Sequence, residues 1–193
     1  MDIDRTQSVG ETTFVAFDFE TTGLFPASDQ IVEFGAVRFR DGVVLDTFQI
    51  LANPGMAIGA EASKVSGISD TDVIGAPPVL EVVPQFLRFI EGSVLVAHNA
   101  PFDMGFLRAA AEASGHGNIE NAVCDTQALA IKAFPGKRSY GLENLAADLG
   151  LPAYNAHRAL DDAEMCMRLF QRCADELSFM GELELGEVLA AQQ

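Results

Sequence analysis

Positive charge is scarce in this sequence: 12 lysines and arginines stand against 28 aspartates and glutamates, for a formal net charge of −16. So acidic a chain repels polyanions over most of its surface and lacks the broad basic face of a tight nucleic-acid binder. A nucleic-acid site would have to reverse the sign locally. Long apolar runs are also missing. Apolar residues make up 49% of the chain, yet no stretch approaches the ~18 consecutive apolar residues of a membrane span, so no membrane partner is expected. The opening "MDIDRTQSVGETT" has no basic segment leading into an apolar one, so a secretory signal is not expected and the expected location is cytoplasmic. Cys124, Cys166 and Cys173 include no C-x-x-C pair. That excludes a disulfide framework or a thiolate zinc site and leaves reduced core residues as the expectation.

What is present suits one α/β domain, long enough at 193 residues to bury a sizeable core. The expected organisation is a flexible N-terminal tail over 1–11, a folded domain over 12–180 and a C-terminal tail over 181–193. "TFVAFDFE", "QIVEFGAVRFR" and "VVLDTFQIL" read as strands. The last two are separated by Asp41-Gly42, a strong hairpin signal, so a three-stranded meander is predicted. "PPVLEVVPQFLRFIEG" has helical spacing with Pro84 as a kink or a sign of a later start. "SVLVAH" reads as a buried strand feeding the helix "APFDMGFLRAAAEASG". A short strand and helix in "NAVCDTQALAIKAFPG", a short helix in "LENLAADLG" and a long one in "HRALDDAEMCMRLFQRCADEL" complete the pattern.

The chemistry starts in "FVAFDFETTG". Along a strand Phe14, Ala16, Asp18 and Glu20 share one side, and Val15, Phe17 and Phe19 share the other. Two acids on one face, roughly 7 Å apart at strand spacing, repel each other and lose hydration unless a cation lies between them or one keeps its proton. Two further acids open helices: Asp103 after "LVAHN", and Asp162 five residues beyond His157. Taken singly, each has an ordinary explanation, since the helix dipole favours acids in a first turn. Asp161 projects about 100° away from Asp162 on a helix, so the two cannot serve one ion equally. Asp125 reads as the cap of the helix that follows it. Glu33 reads as a sheet residue near the site, facing solvent or held in a structural hydrogen bond.

"DFETTG", "HNAPFD" and "HRALDD", in that order with βα elements between them, resemble the DEDDh exonucleases, the superfamily of the proofreading epsilon subunit of bacterial DNA polymerase III. The resemblance runs from Phe14 to about Leu177. It implies a ribonuclease H-like mixed sheet flanked by helices, and a two-metal-ion 3′-to-5′ exonuclease acting on nucleic-acid ends. It also implies Asp18, Glu20, Asp103 and Asp162 as metal-binding acids and His157 as general base. All-oxygen ligands favour Mg²⁺ or Mn²⁺. Asp18 is expected to bridge the two ions, with Glu20 and Asp162 on the water-activating ion and Asp103 on the other. His98 competes for the base, but its position before a helix suits hydrogen bonds that orient a loop; His116 is expected to be exposed.

By the same resemblance Thr21, Thr22, Gly23 and Leu24 hold the terminal nucleotide, and Phe102 packs against a base or, alternatively, into the core. Lys137, Arg138 and Tyr140 form the basic knot nearest a cleft rim. Two divalent ions would offset four charges, taking −16 to about −12 and making only the cleft attractive to phosphate. A distributive or partner-assisted enzyme is therefore expected. The expected substrate is the single-stranded or frayed 3′ end of DNA, in proofreading or repair. The runner-up substrate is RNA ends, and the reading from another class is a non-catalytic binding module. The tail beyond Leu177 is too short for another domain and shows no evident polymerase-tethering segment, so a polymerase stays only among the candidate partners.

Overall fold

Two strands buried on both faces, a largely exposed edge strand and a two-residue turn build the front of the sheet. A computed structural model describes residues 4–152 and 157–190. β1 (Phe14–Thr21), β2 (Ile31–Arg40) and β3 (Val43–Leu51) form the antiparallel meander. Asp41 and Gly42 both take positive φ, 47° and 73°, as a tight hairpin whose twist matches its strands requires. β4 (Val94–Ala97) pairs parallel with β1, and β5 (Val123–Asp125) parallel with β4, giving the order β3-β2-β1-β4-β5. The helices are α1 (Ala60–Ser66), α2 (Asp70–Val73), α3 (Val79–Ile90), α4 (Ala100–Ala113), α5 (Thr126–Ala133), α6 (Leu142–Leu149), α7 (Ala159–Leu177) and α8 (Leu185–Ala190). This single domain, a mixed sheet flanked by helices, is the expected architecture. Pro84 lies inside α3 without ending it. Among the described residues no helix is long and apolar enough to cross a membrane.

The alternation in β1 sorts the core into two layers. Val15, Phe17 and Phe19 join residues of α3 and α4 on one side of the sheet; Phe14 and Ala16 join α5 and α7 on the other. Cys124, Cys166 and Cys173 are buried and free, as expected, and burial pushes each thiol above its ordinary value. Such thiols behave as small apolar groups.

The two ends differ from the sequence reading. Residues 5–9 and 183–186, set apart above as tails, are hydrogen-bonded to one another: Val9 N–H donates to Leu183 O (3.0 Å), Leu185 N–H to Gln7 O (2.9 Å) and Gly186 N–H to Arg5 O (2.8 Å). Leu183, Leu185 and Val188 are buried in the layer that holds Phe14 and Phe170. Three spaced apolar residues in a segment this short give too few turns for a periodic signal, although burying them is favourable. Residues 1–3 and 191–193 of the expected tails lie outside the described residues.

Candidate active site

Asp18 and Glu20 leave β1 on the face turned toward α7, as alternation requires. There they meet Asp162 from the first turns of that helix. One carboxylate oxygen from each of Asp18, Glu20 and Asp162 lies within 4.8 Å of the others. Asp103 reaches the same end of the strand by another route. The β1–β4 ladder stops at Ala16–Val96, and beyond it Asp103 Oδ1 accepts the Phe19 backbone N–H at 3.1 Å. A helix side chain thus takes over where the neighbouring strand has ended.

Crowding is visible in the acidities. Burial, then the charges of Asp103, Asp162, Glu20 and Glu33, hold the Asp18 carboxyl well above its ordinary value. Burial first, and Asp162 next, push Glu20 up to about 7. Burial likewise pushes Asp103 to about 8 and raises Asp162. Carboxylates gathered at this cost, with oxygen as their only donor atom, fit a divalent cation of the Mg²⁺ or Mn²⁺ class.

Two features of β2 bring α7 this close. Gly35 lies opposite Asp18, and a Cβ there would stand 2.0 Å from the carbonyl carbon of Ala159. Only glycine lets the helix backbone rest on the strand. Two residues earlier Glu33, opposite Glu20, is fully buried. It accepts from Gln49, Arg158 and the Ala159 backbone N–H. Burial alone would raise its carboxyl, but these hydrogen bonds together hold it below the ordinary value. It is thus an internal ligand of α7, and the solvent-facing alternative read from sequence does not occur. The pattern missed Gly35 and Arg158; a glycine inside the strand run "IVEFGAV" was the available signal for the first, and nothing local marked the second.

His157 precedes the helix with φ +67°, and its backbone N–H donates to Asp162 Oδ2 at 2.8 Å. Its imidazole is exposed, with Nε2 3.4 Å from Glu143 Oε1. The ring contacts a residue of α6 that sequence reading had not singled out, and a positive charge on it would act to lower the Glu20 and Asp162 carboxyls. His98 does what its position suggested: its ring bonds Thr126 Oγ1 (3.0 Å) at the start of α5 and the Tyr140 carbonyl (2.9 Å) in the loop before α6, and burial lowers its pKa. Asp125 caps α5 through Gln127 N–H at 2.8 Å. Tyr140 donates to the Phe134 carbonyl, and Lys137 pairs with Asp148 at 3.4 Å, so this basic knot is largely engaged internally.

The loop after Glu20 is stiffened from within. Thr21 Oγ1 donates to the Gly23 carbonyl (2.6 Å), and Thr22 Oγ1 donates to Asp29 (3.2 Å) while accepting Gln30 N–H (3.0 Å). These bonds tie the hydroxyls into the loop. A Cβ on Gly23 would meet the Asp29 carboxylate at 2.5 Å and would have to displace it from its bonds to Thr22 Oγ1 and Phe25 N–H. The loop turns Leu24 (71% exposed) and its neighbour Phe25 (69%) outward. Phe102 is half-buried, its ring 5.2 Å from that of Phe106, packed on the core with one side left accessible.

Known proteins are similar to this chain in sequence and in fold. The profile of the RNase_T exonuclease family matches residues 15–170. DNA polymerase III subunit epsilon of Treponema pallidum is 45% identical over 159 residues, covering 81% of this chain and 74% of that protein. A PolC-type DNA polymerase III of Thermotoga petrophila is 39% identical over 181 residues, 94% of this chain; the chain spans only 13% of that protein's length. Among solved structures, exonuclease X in complex with 5′-overhanging duplex DNA superposes with a TM-score of 0.72 at 25% identity, over 92% of this chain and 99% of that one. Exonuclease I, at 18% identity, shares the fold with a TM-score of 0.76 over 93% of this chain and 43% of its own. With three motifs in order, their acids converging at one end of β1, and a family profile spanning the sheet and α7, this chain belongs to the RNase_T exonuclease family.

Proposed function

We propose that the chain is a divalent-metal-dependent 3′-to-5′ exonuclease that releases nucleoside monophosphates from DNA ends in proofreading or repair. The observation that carries this reading is the meeting of Asp18, Glu20 and Asp162 within 4.8 Å, with Asp103 beside them. The names of its relatives, polymerase III subunits and a nuclease solved on duplex DNA, favour DNA as the substrate. In this reading Asp18, Glu20, Asp103 and Asp162 would hold two divalent ions, Mg²⁺ or Mn²⁺. When bound, such ions supply charge stabilisation for the transferring phosphoryl group and its leaving 3′ oxygen.

The chain's own residues do the rest. His157, its exposed imidazole 3.4 Å through Nε2 from Glu143 Oε1, is the general base of this reading and takes the proton of the attacking water, a task that suits an imidazole. The stiff 21–25 loop and the accessible side of Phe102 seat the terminal nucleotide, where stacking on an aromatic ring is worth roughly 1–3 kcal/mol without regard to sequence. A polymerase partner remains part of the proposal through the relatives' names.

The test uses matched 3′ ends in single-stranded DNA, mismatched duplex DNA and RNA, with Mg²⁺, Mn²⁺ or chelator. Release of mononucleotides from DNA 3′ ends is expected, lost with chelator and in Asp18→Ala. Activity retained in Asp18→Ala overturns the mechanism. Faster cleavage of RNA than of DNA moves the substrate class to RNA.

A further inference from the structure

Glu33 is a buried carboxylate to which the mechanism above gives no task. It stands opposite Glu20 on the neighbouring strand, so its charge adds to the repulsion among the acids. Four donors converge on it. Oε1 accepts from Gln49 Nε2 (2.9 Å) and Arg158 Nη2 (2.8 Å); Oε2 accepts from Arg158 Nε (3.1 Å) and the Ala159 backbone N–H (3.2 Å). The Arg158 contact is the two-point geometry that a guanidinium offers and an ammonium cannot. Glu33 is fully buried but the Arg158 side chain is 45% exposed, and an ion pair open to water on one side contributes little net stability. Placing a further charge beside three crowded acids therefore calls for another reason.

The reason lies in what the pair holds. Arg158 is the residue just before α7 and Ala159 the first of that helix, so Glu33 ties the strand to the helix start. On one side of this tie is His157, its backbone at φ +67°. On the other is Asp162, which accepts the His157 backbone N–H at 2.8 Å and is one of the three converging carboxylates. Gly35, two residues along the same strand, removes the Cβ that would push the helix start away. The junction between base and metal-binding acid is thus fixed to β2 by side-chain bonds and backbone contact together.

We propose that Glu33 and Arg158 are a positioning pair that sets His157 and Asp162 against the acids of β1, without touching substrate themselves. The inference rests on the exonuclease reading above. Arg158→Lys keeps the charge but loses the two-point bond; Glu33→Gln keeps the shape but sets an amide against donors. Each folded variant is expected to lose kcat by about tenfold to 10²-fold while KM stays within about twofold, since misplacement by an ångström suffices for such a loss. Mn²⁺ affinity, measured by calorimetry on metal-free protein, is expected to fall about tenfold, as for other groups that orient metal ligands. Folded variants with kcat and Mn²⁺ affinity both within about twofold of the unmutated chain overturn the proposal, given that range of effects. So does failure of both variants to fold, which would make the pair a requirement of the fold alone. If the unmutated chain shows no metal-dependent nuclease activity, the exonuclease reading fails instead, and the Mn²⁺ affinities still judge the pair.

Discussion

β1 and α7 meet along one face, and the two halves of that contact are built from opposite chemistry. At the start of β1, Phe14 lies 4.7 Å from Phe170 in the later turns of the helix, and Phe39 completes the group at 5.8 Å from Phe170. At the end of the same face Asp18 and Glu20 meet Asp162 in the first turns of the same helix. The apolar half stabilises the fold, at about 1.5–3 kcal/mol for each fully buried aromatic side chain. The acidic half opposes folding through desolvation and like charge. A 19-residue helix joins them, so the half that packs well holds the half that does not in place. Active-site crowding is tolerated because it is distributed along a rigid element whose other end is anchored.

Substitutions separate the two halves. Phe170→Ala should cost about 3–5 kcal/mol of stability by cavity formation, while the folded fraction keeps its metal affinity and its kcat; denaturant titration beside a metal titration checks both. His157→Ala should act the other way round. Turnover should fall about 10²–10⁴-fold, the range for loss of a general base, with Mn²⁺ affinity and melting temperature nearly unchanged; abolished metal binding would contradict that division of roles. Gly35→Ala should disturb the acidic half alone. A Cβ 2.0 Å from the Ala159 backbone forces the helix start away from the strand, and a loss of about 10²-fold in kcat is expected from the displacement. A kcat close to that of the unmutated chain would show that the close approach at Gly35 is not needed for activity.

The apolar half was easier to read from sequence than the acidic half. Alternation in "FVAFDFET" foretold which side each residue takes, because a period of two admits only two faces: Val15, Phe17 and Phe19 on one, Phe14, Ala16, Asp18 and Glu20 on the other. The meander, the helix after "LVAHN" and the long last helix followed from turn chemistry and periodicity. Convergence of Asp18, Glu20 and Asp162 came from the order of motifs, since no spacing in the chain measures a distance across a fold. What stayed hidden depends on contacts between distant segments: the backbone approach at Gly35, the Arg158–Glu33 bond, Glu143 beside His157, and the pairing of the two chain ends. The hydroxyls of Thr21 and Thr22, expected to face a nucleotide, bond within their own loop because Asp29 and Gln30 fold back onto it.

The acidic half carries a signature in its response to pH. Without metal, burial and like charge hold Glu20 near 7 against an ordinary 4.5, and Asp103 near 8 against 3.8. Between the ordinary and raised values the folded chain binds more protons than the unfolded one, so stability falls as pH rises through that window. Divalent cations that bind only the folded carboxylates add stability by mass action and remove the need for those protons. The decisive measurement is the melting temperature from pH 5 to 8, taken in chelator and in Mn²⁺. In chelator it should fall steadily toward pH 8, and in Mn²⁺ the decline should vanish, with the gap between the curves widest at pH 8. Parallel curves, or no decline in chelator, would contradict the claim that these carboxylates are crowded into one pocket awaiting divalent charge.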